Sequence, residues 1–378
     1  MRKVKFEDVA TRVNTREDKD NTSLLYYVGG DHIESREMVV HNRGLIEGST
    51  IGPMFYFGFK KGDILLVSRN PHLRKAAVVN FDGICSEKTF VIGTKDEKVL
   101  LQKYLAVVVQ TDSFWDYCEE HKSGGVNFFV NWSTLAKYEF ELPDIEDQRI
   151  ISDKVWAAYE VKESYRKLIS ATDEMVKSRF IEMFGNAENT KPLSACIGAS
   201  FPGEWGEDDS DGTGVNVIRT TNFTNTGKLD LTNVVTRKID QAKIDKKHLV
   251  PGDIILERSG GTADNPVGRV VYFEADGTFL FNNFTQLLRC KDGENSLFVF
   301  YSLYNYYHTH KSEIRSMGNK TTGIQNLKMD KYWDIPIADA SPEQQEQFVR
   351  LYKHADKSKF ELKQAIEKID KVMRALMQ

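Results

Sequence analysis

The stretch KKGDILLVSR at residues 60–69 recurs as VPGDIILERS at residues 250–259, and this repeat is the main indication of the fold. With the two GDI tripeptides aligned, YVGGDH at 27–32 lies opposite VIRTTN at 217–222 in the same register. Self-similarity at a fixed offset is the sequence signature of a duplicated structural unit. The sequence therefore predicts two related globular segments.

A second matching stretch ends each globular segment. NWSTLAKYEFELP at 131–143 resembles NLKMDKYWDIP at 326–336, and each leads into a predicted helix start that carries a glutamine, Gln148 or Gln345. Each unit is thus a globular segment followed by a long helix. We predict four consecutive segments, at residues 1–143, 144–185, 186–340 and 341–378.

The globular segments are predicted to be α+β, each with a twisted sheet. Short apolar runs such as 64–67 and 254–256 are typical of strands, and Gly-Asp or Asp-Gly turns separate them. Longer stretches without helix breakers, such as 296–316, are predicted helices. No regular alternation of strand and helix is evident, so a doubly wound parallel sheet is not expected.

The two long helices show the alternating four- and three-residue spacing of a coiled-coil seam. At about 1.5 Å per residue they would be about 50–60 Å long, and helices of that length need a partner. We expect them to pack on each other as an antiparallel intramolecular pair that acts as a ruler; a homodimeric coiled coil is the alternative. The expected packing residues are Ile151, Val155, Tyr165 and Ile169 in the first helix, and Phe348, Tyr352, Leu362, Ile366 and Ile369 in the second. Polar residues interrupt the two seams at Lys162, Thr172, Arg179 and Lys359.

Composition excludes several classes of protein. The chain has 378 residues, 28% of them charged, and a net charge of -4. No apolar run approaches the roughly 20 residues that cross a bilayer, and the start lacks the features of a signal peptide, so a cytoplasmic location without membrane contact is expected. The four cysteines form no CxxC pair, and no metal site or disulfide framework is expected. Binding to DNA by bulk positive charge is also disfavoured, and any DNA contact must come from local loops.

Over its whole length the sequence resembles the specificity subunits of type I restriction–modification systems. The resemblance lies in the order of LPDIEDQRII at 142–151, KSRFIEMFG at 177–185, and a second unit with its own helix. It implies two target-recognition domains that each read half of a split, asymmetric site in double-stranded DNA. The helices would set the gap and dock two modification (methyltransferase) subunits, with restriction subunits joining the full complex. S-adenosylmethionine and ATP would bind the partner subunits, and no cofactor would bind this chain.

Candidate DNA contacts lie in polar loops that follow predicted strands. Arginine suits guanine edges and phosphates, and asparagine suits adenine. Each candidate could equally be an ordinary solvated turn, and the first segment lacks the Arg-Thr-Thr-Asn stretch of the second. In the first segment the candidates are Arg69, Asn70, His72, Arg74, Lys75, Gly125 and Asn127. In the second they are Arg219, Thr220, Thr221, Asn222, Arg258, Ser259, Asn282, Asn283, Lys320, Thr321, Thr322, Gln325 and Asn326.

Motifs for catalysis are missing from the sequence. The nearest approaches to an adenine-methyltransferase NPPY motif, at 70–73 and 265–268, lack its second proline and its aromatic residue, and no P-loop occurs. Asp144 and Glu160 occur in an order similar to the PD…(D/E)xK motif of nucleases. Along one straight helix, however, the two residues would lie about 24 Å apart, too far to share a metal ion. We therefore expect no catalytic residues and a non-catalytic DNA reader; an enzyme and a protein-binding coiled-coil scaffold are the alternatives.

Overall fold

The computed structural model describes residues 2–262, 265–321 and 324–378. The chain divides into two compact units. Unit 1 comprises Met1–Ile169 and Phe360–Gln378, and unit 2 comprises Ser170–Lys359. Part of each long helix belongs to each unit, so the compact units differ from the four consecutive segments drawn from the sequence.

The described part of unit 1 contains ten strands and four short α-helices besides its parts of the long helices. The strands are β1 Arg2–Lys5, β2 Ala10–Val13, β3 Tyr26–Val28, β4 Gly44–Leu45, β5 Phe55–Phe59, β6 Ile64–Val67, β7 Ala76–Val78, β8 Gly83–Ser86, β9 Thr89–Thr94 and β10 Glu139–Leu142. The helices are α1 Phe6–Val9, α2 Gln102–Val108, α3 Asp112–Glu120, α4 Trp132–Leu135 and the long α5 Ile145–Phe184.

Two four-stranded sheets form the body of unit 1, in the orders β2-β9-β6-β7 and β4-β3-β8-β5. The β3–β8 pair is parallel, the other pairs are antiparallel, and β1 pairs with β10. Strand β6 is buried on both faces: Ile64 and Leu66 belong to one core, and Leu65 and Val67 to another. This explains its uninterrupted apolar run, because alternate side chains of a strand point to opposite faces.

Unit 2 repeats this plan with additional strands. Its strands are β11 Thr190–Pro192, β12 Ile197–Pro202, β13 Glu207–Asp208, β14 Val215–Ile218, β15 Val235–Lys238, β16 Ile254–Glu257, β17 Ser259–Gly260, β18 Val270–Tyr272, β19 Phe279–Phe281, β20 Thr285–Cys290, β21 Gly318–Thr321, β22 Ile324–Leu327 and β23 Pro336–Ala338. Its helices are α6 Leu193–Cys196, α7 Gln241–Lys247, α8 Ser296–Thr309, α9 Lys311–Met317, α10 Met329–Trp333 and the long α11 Pro342–Met377.

The sheet topology confirms the duplication. The order β12-β20-β16-β18 in unit 2 matches β2-β9-β6-β7 in unit 1, and β14 and β19 are parallel neighbours as β3 and β8 are. The β11–β23 pair corresponds to β1–β10. Strand β16, like β6, is buried on both faces, with Ile254 and Leu256 in one core and Ile255 in another. The α+β class predicted from the sequence is confirmed.

The GDI motif marks the same tight turn in both units. Gly62 and Gly252 have φ angles of 98° and 102°, a left-handed region that glycine adopts without steric cost. In each unit the following aspartate accepts a hydrogen bond from the backbone N–H three residues earlier, at 2.7 Å for Asp63 and 2.8 Å for Asp253. The turn chemistry therefore accounts for the most visible repeat in the sequence.

Helices α5 and α11 pack in antiparallel fashion, as predicted. In unit 1 the Lys162 Nζ lies 2.9 Å from Asp370 of α11, and in unit 2 the rings of Phe180 and Phe348 lie 5.0 Å apart. Buried Gln148 fastens the start of α5 by donating 3.0 Å hydrogen bonds to two backbone carbonyls. Every predicted seam residue is buried or half-buried: Ile151, Val155, Tyr165, Ile169, Phe348, Tyr352, Leu362, Ile366 and Ile369.

Candidate nucleic-acid interface

In unit 1 the fold brings together two candidate loops that are far apart in sequence. The loop that follows β6 lies beside the hairpin that precedes α4. The backbone N–H of Asn70 donates to the carbonyl of Phe128, and that of Val130 donates to Ser68, both at 2.8 Å. Arg69, Asn70 and the hairpin residues Gly125 and Asn127 thereby form one cluster.

The turn between β8 and β9 is a third member of this cluster. Both the backbone N–H and the hydroxyl of Ser68 donate to the carbonyl of Lys88 at 2.8 Å. The Lys88 side chain is 42% exposed and pairs with Glu87. Lys88 was not among the residues predicted from the sequence, although its position in the repeat matches the Asn283-Phe284 turn.

The polar side chains of the first loop divide into two groups. Arg74 pairs with Asp112 and Asp116, and the Lys75 Nζ donates to the carbonyl of Gly30 at 2.7 Å. Burial alone would raise the pKa of Asp112, but hydrogen bonds from two arginines, including Arg74, hold it below its usual value. Arg74 and Lys75 therefore stabilise the conformation of the loop. The remaining candidates are half-buried (Arg69, Asn70) or exposed (His72, Gly125, Asn127).

Unit 2 brings the equivalent segments together as a small sheet in the order β17-β22-β21. Ser259 pairs with Asn326 and Gly260 with Gln325. The Ser259 hydroxyl donates a 2.7 Å hydrogen bond to the side-chain oxygen of Asn326, and the carbonyl of Arg258 accepts from Leu327 at 2.8 Å. The loop after the GDI strand and the hairpin before α10 are thus joined by both backbone and side chains.

The turn between β19 and β20 completes the cluster of unit 2. The backbone N–H groups of Arg258 and Ser259 both donate to the carbonyl of Phe284, at 2.8 and 2.9 Å. Asn283 and Phe284 are exposed, and the half-buried Arg258 guanidinium donates to Gln286 at 3.4 Å. Phe284 therefore occupies the place that Lys88 has in unit 1, so both units bring the same three segments together.

Asn222 has a structural role instead of the predicted role in DNA contact. It is 3% exposed, its side-chain oxygen accepts from the Arg219 backbone at 2.9 Å, and its amide donates to Asp230 and Asn233 at 2.9 and 3.0 Å. All the polar atoms of this side chain are used inside the protein. Its position does not fit a contact with a base, because the Arg-Thr-Thr-Asn stretch folds into a turn that the asparagine closes.

Arg219 and Asn282 follow the parallel strands β14 and β19 at neighbouring ends. The Asn282 backbone donates to Ile218 at 2.8 Å, and Asn282 is only 5% exposed. Within the described part of the chain, the Asn282 Oδ1 and the Arg219 Nε are buried without a hydrogen-bond partner. Such groups call for an explanation in a folded protein.

The other predicted residues of unit 2 are placed as follows. Thr220 is half-buried and Thr221 is exposed, both in a short turn after β14. The backbone of Lys320 and Thr321 belongs to β21, in which Lys320 pairs with Gln325. Thr322 lies outside the described residues.

One cluster in unit 1 has the composition of a metal site. Ligand atoms of Glu37, His41 and Glu163 lie within 4.8 Å of one another. However, the Arg166 guanidinium bonds Glu37 at 2.6 and 3.0 Å and Glu163 at 2.8 Å, and Lys162 lies 3.4 Å from Glu37. Cations of the protein already neutralise these carboxylates, so the donor set does not fit a metal ion.

The four cysteines are free, and three of them are buried. Burial raises the pKa of Cys85 and of Cys118 to about 12, so both thiols stay protonated near neutral pH. Thiolates are the reactive and metal-binding form of cysteine. These two side chains therefore act as small apolar residues of the core.

No helix among residues 2–262, 265–321 and 324–378 is both long enough and apolar enough to cross a membrane. The long helices α5 and α11 instead carry charged residues along their length.

Comparison with known proteins gives a family match for part of the chain. Residues 199–371 match the family described as type I restriction modification DNA specificity domain. The fold is similar to that of the type I restriction–modification system S subunit from M. genitalium, with a TM-score of 0.58 and 12% identity over 100% of this chain and 94% of that chain. A structure described as showing complex assembly and conformational transition of the type I R-M system gives a TM-score of 0.58 and 16% identity, over 100% and 96% of the two chains. No curated protein sequence matches the chain.

Proposed function

We propose that this chain is a type I restriction–modification DNA specificity subunit and that each of its two units reads one half of a bipartite, asymmetric DNA site, because residues 199–371 match the DNA specificity domain family and unit 1 repeats the fold of unit 2. The reading surface in each unit is the cluster of three segments: the loop after β6 or β16, the hairpin before α4 or α10, and the turn after β8 or β19. The observation that carries this proposal is that the same three segments meet in both units.

The composition of the clusters supports DNA contact. Unit 1 offers Arg69, His72 and Lys88, and unit 2 offers Arg258 and Asn283, all near the ends of strands. Binding residues are often found on loops that a rigid scaffold positions. Arginine and asparagine side chains distinguish bases in the major groove, and cationic side chains also contact phosphates. The two clusters differ in side chains, which fits an asymmetric site.

The unpartnered polar atoms of Arg219 and Asn282 support the same surface in unit 2. An arginine nitrogen and an asparagine oxygen are a donor and an acceptor, and bases and phosphates offer complementary groups. Because both atoms are buried, a DNA contact would satisfy them only if these strand ends rearrange on binding. We include both residues in the proposed surface and exclude Asn222.

We further propose that the chain itself is not catalytic and that partner subunits perform the chemistry. Two modification subunits would dock on the long helices and bind S-adenosylmethionine, and restriction subunits with ATP would complete the cleaving complex. The missing methyltransferase and P-loop motifs in the sequence support this division of labour. Nothing favours the alternative of a scaffold that binds only proteins.

The test is to change one cluster at a time and map the methylated DNA motif in cells that also express the modification subunit. Arg69→Ala should relax base preference in one half of the motif, and Arg258→Ala should relax it in the other half. Arg74→Ala is the matched control, since this arginine lies in the same loop as Arg69 but is held by ion pairs. Loss of both halves on either substitution would contradict the assignment of one half-site to each unit.

A further inference from the structure

The turn between β19 and β20 carries an exposed aromatic side chain within the three-segment cluster of unit 2. Phe284 is 41% exposed, whereas Phe281, three residues earlier at the end of β19, is 0% exposed. Single exposed apolar residues are common on protein surfaces, so exposure alone indicates no function. The position of Phe284 among groups suited to DNA is the observation that calls for one.

Hydrogen bonds hold the backbone of this turn at both of its ends. The backbone N–H and the hydroxyl of buried Thr285 both donate to the carbonyl of Asn282, at 2.9 and 2.7 Å. The carbonyl of Phe284 accepts from the backbone N–H groups of Arg258 and Ser259, at 2.8 and 2.9 Å. The main chain of Phe284 is therefore already ordered, which lowers the entropy cost of a contact made by its ring.

The guanidinium of Arg258 lies near the same end of β20. It donates to the side-chain oxygen of Gln286 at 3.4 Å, and Gln286 is the second residue of β20. A cation that suits a guanine edge and an exposed phenyl ring thus belong to one small patch of the surface. Successive bases are about 3.4 Å apart along a DNA strand, so such a patch can contact neighbouring base pairs.

The chemistry of the phenyl ring restricts what it can recognise. The ring has no hydrogen-bonding group, so it distinguishes base pairs only by their apolar parts. In the major groove that part is the C5-methyl group of thymine, which apolar side chains such as phenylalanine contact. Phosphates and the polar edges of the other bases are poor partners for an apolar ring.

Unit 1 has a lysine at the equivalent place. Thr89 and Thr285 each begin the strand after the turn, so Lys88 corresponds to Phe284. The carbonyl of Lys88 likewise accepts hydrogen bonds from the loop after the GDI strand, in this case two from Ser68 at 2.8 Å. The same backbone arrangement therefore presents a cation in unit 1 and an apolar ring in unit 2, and only the ring suits a methyl group.

We propose that Phe284 is a specificity-determining residue of unit 2 that contacts the C5-methyl group of a thymine, close to the base that Arg258 reads. This inference rests on the proposed function and adds the identity of one base pair to it. The half-site of unit 2 then contains a T·A pair at which the methyl group is required for full affinity.

Deoxyuridine substitution tests this contact without altering the protein. Uracil keeps the hydrogen-bonding groups of thymine and lacks only the methyl group. In a duplex that carries the mapped methylation motif, each thymine of both half-sites is replaced in turn, and binding by the complex of this chain with the modification subunit is measured. One replacement should weaken binding about fourfold, as expected for the loss of one buried methyl group.

Phe284→Ala shows whether this side chain makes the contact. The variant should bind the thymine duplex more weakly than wild type does, and it should no longer distinguish thymine from uracil at the sensitive position. Lys88→Ala, at the equivalent place in unit 1, is the matched control and should keep the preference of about fourfold for thymine. Circular dichroism checks that both variants fold, which is expected because the hydrogen bonds of Phe284 involve only its backbone.

Two results would overturn the proposal while leaving the proposed function intact. The first is a mapped motif in which no thymine can be distinguished from uracil; weaker binding by Phe284→Ala would then assign the ring to another contact, such as insertion between bases. The second is a uracil effect that persists unchanged in Phe284→Ala. If the wild-type chain supports no methylated motif at all, the proposed function fails and the thymine contact fails with it.

Discussion

The hydroxyl of Ser259 donates a 2.7 Å hydrogen bond to the side-chain oxygen of Asn326 and so joins two loops that the sequence separates widely. The same strands are also joined through their backbones. Because the two loops are hydrogen-bonded to each other, the backbone that carries the neighbouring Arg258 is held in one position. Ser259→Ala should therefore weaken specific DNA binding through loss of positioning, by about 1 kcal/mol for one hydrogen bond.

Competition binding with specific and random DNA, in the complex with the modification subunit, measures this effect. Specific binding should fall while random binding stays unchanged. Ser316→Ala is the control, since its hydroxyl only donates to Glu313 within its own helical turn. Equal loss of binding to both DNAs would show that Ser259 contributes to general affinity instead.

Arg69→Ala and Arg258→Ala are expected to weaken specific binding by about 1–3 kcal/mol if each arginine contacts a guanine edge. The measurement is a titration at several salt concentrations. A contact with phosphate alone would instead weaken binding to all sequences and reduce the slope of affinity against salt.

Arg74→Ala should affect stability more than recognition. Its guanidinium pairs with Asp112 and Asp116, and its side chain is 20% exposed. Loss of these partly exposed pairs should lower the free energy of unfolding by about 1 kcal/mol. Urea denaturation checks this, and a methylated motif relaxed as far as in Arg69→Ala would show that Arg74 itself reads DNA.

Asn222→Ala should destabilise unit 2. The substitution removes three hydrogen bonds from a buried side chain and leaves the backbone N–H of Arg219 and the carbonyls of Asp230 and Asn233 without these partners. A loss of about 2–3 kcal/mol in the free energy of unfolding is expected. Denaturation of the purified chain measures it; an unchanged stability with lost DNA specificity would restore the role first predicted for Asn222.

Glu37 should make unit 1 sensitive to acid. Burial alone would raise the pKa of Glu37, but hydrogen bonds from Arg166 and the charge of Lys162 lower it below its usual value. A carboxylate whose pKa is lowered on folding stabilises the protein fully above its unfolded pKa of about 4.3, and this stabilisation is lost as the pH falls through the folded pKa.

Glu37→Gln tests this contribution. The free energy of unfolding at pH 7 should fall by about 3–5 kcal/mol, because two cations lose a buried partner. The variant should also lose less stability than the wild type as the pH is lowered below about 4. The same acid dependence in both proteins would assign it to other carboxylates. Glu160→Gln, an exposed position on α5, is the control.

The overall plan of the fold could be predicted from sequence because its signals are local. The turns at Gly62 and Gly252 require a glycine with a positive φ angle, followed by an aspartate that accepts a backbone hydrogen bond. Because both turns use the same two residues, the repeat can be recognised in the sequence. The seams of the long helices follow from spacing alone. The structure confirms the α+β class and the antiparallel helix pair that these features predict.

The clusters could be predicted only in part, because they depend on long-range contacts. The sequence indicated Arg258 and Asn326 separately, but nothing local shows that β17 and β22 pair. Lys88 was missed because a turn with one lysine resembles any solvated turn. Asn222 was misjudged because an asparagine that closes a turn and one that contacts a base look alike in sequence.

The most direct test of the account is long-read mapping of DNA methylation in a host that expresses this chain with its modification subunit. We expect a split, asymmetric methylated motif that disappears when the gene for this chain is deleted. One half of this motif should relax in base preference in Arg258→Ala. The same motif persisting without this chain would contradict the claim that the chain chooses the site.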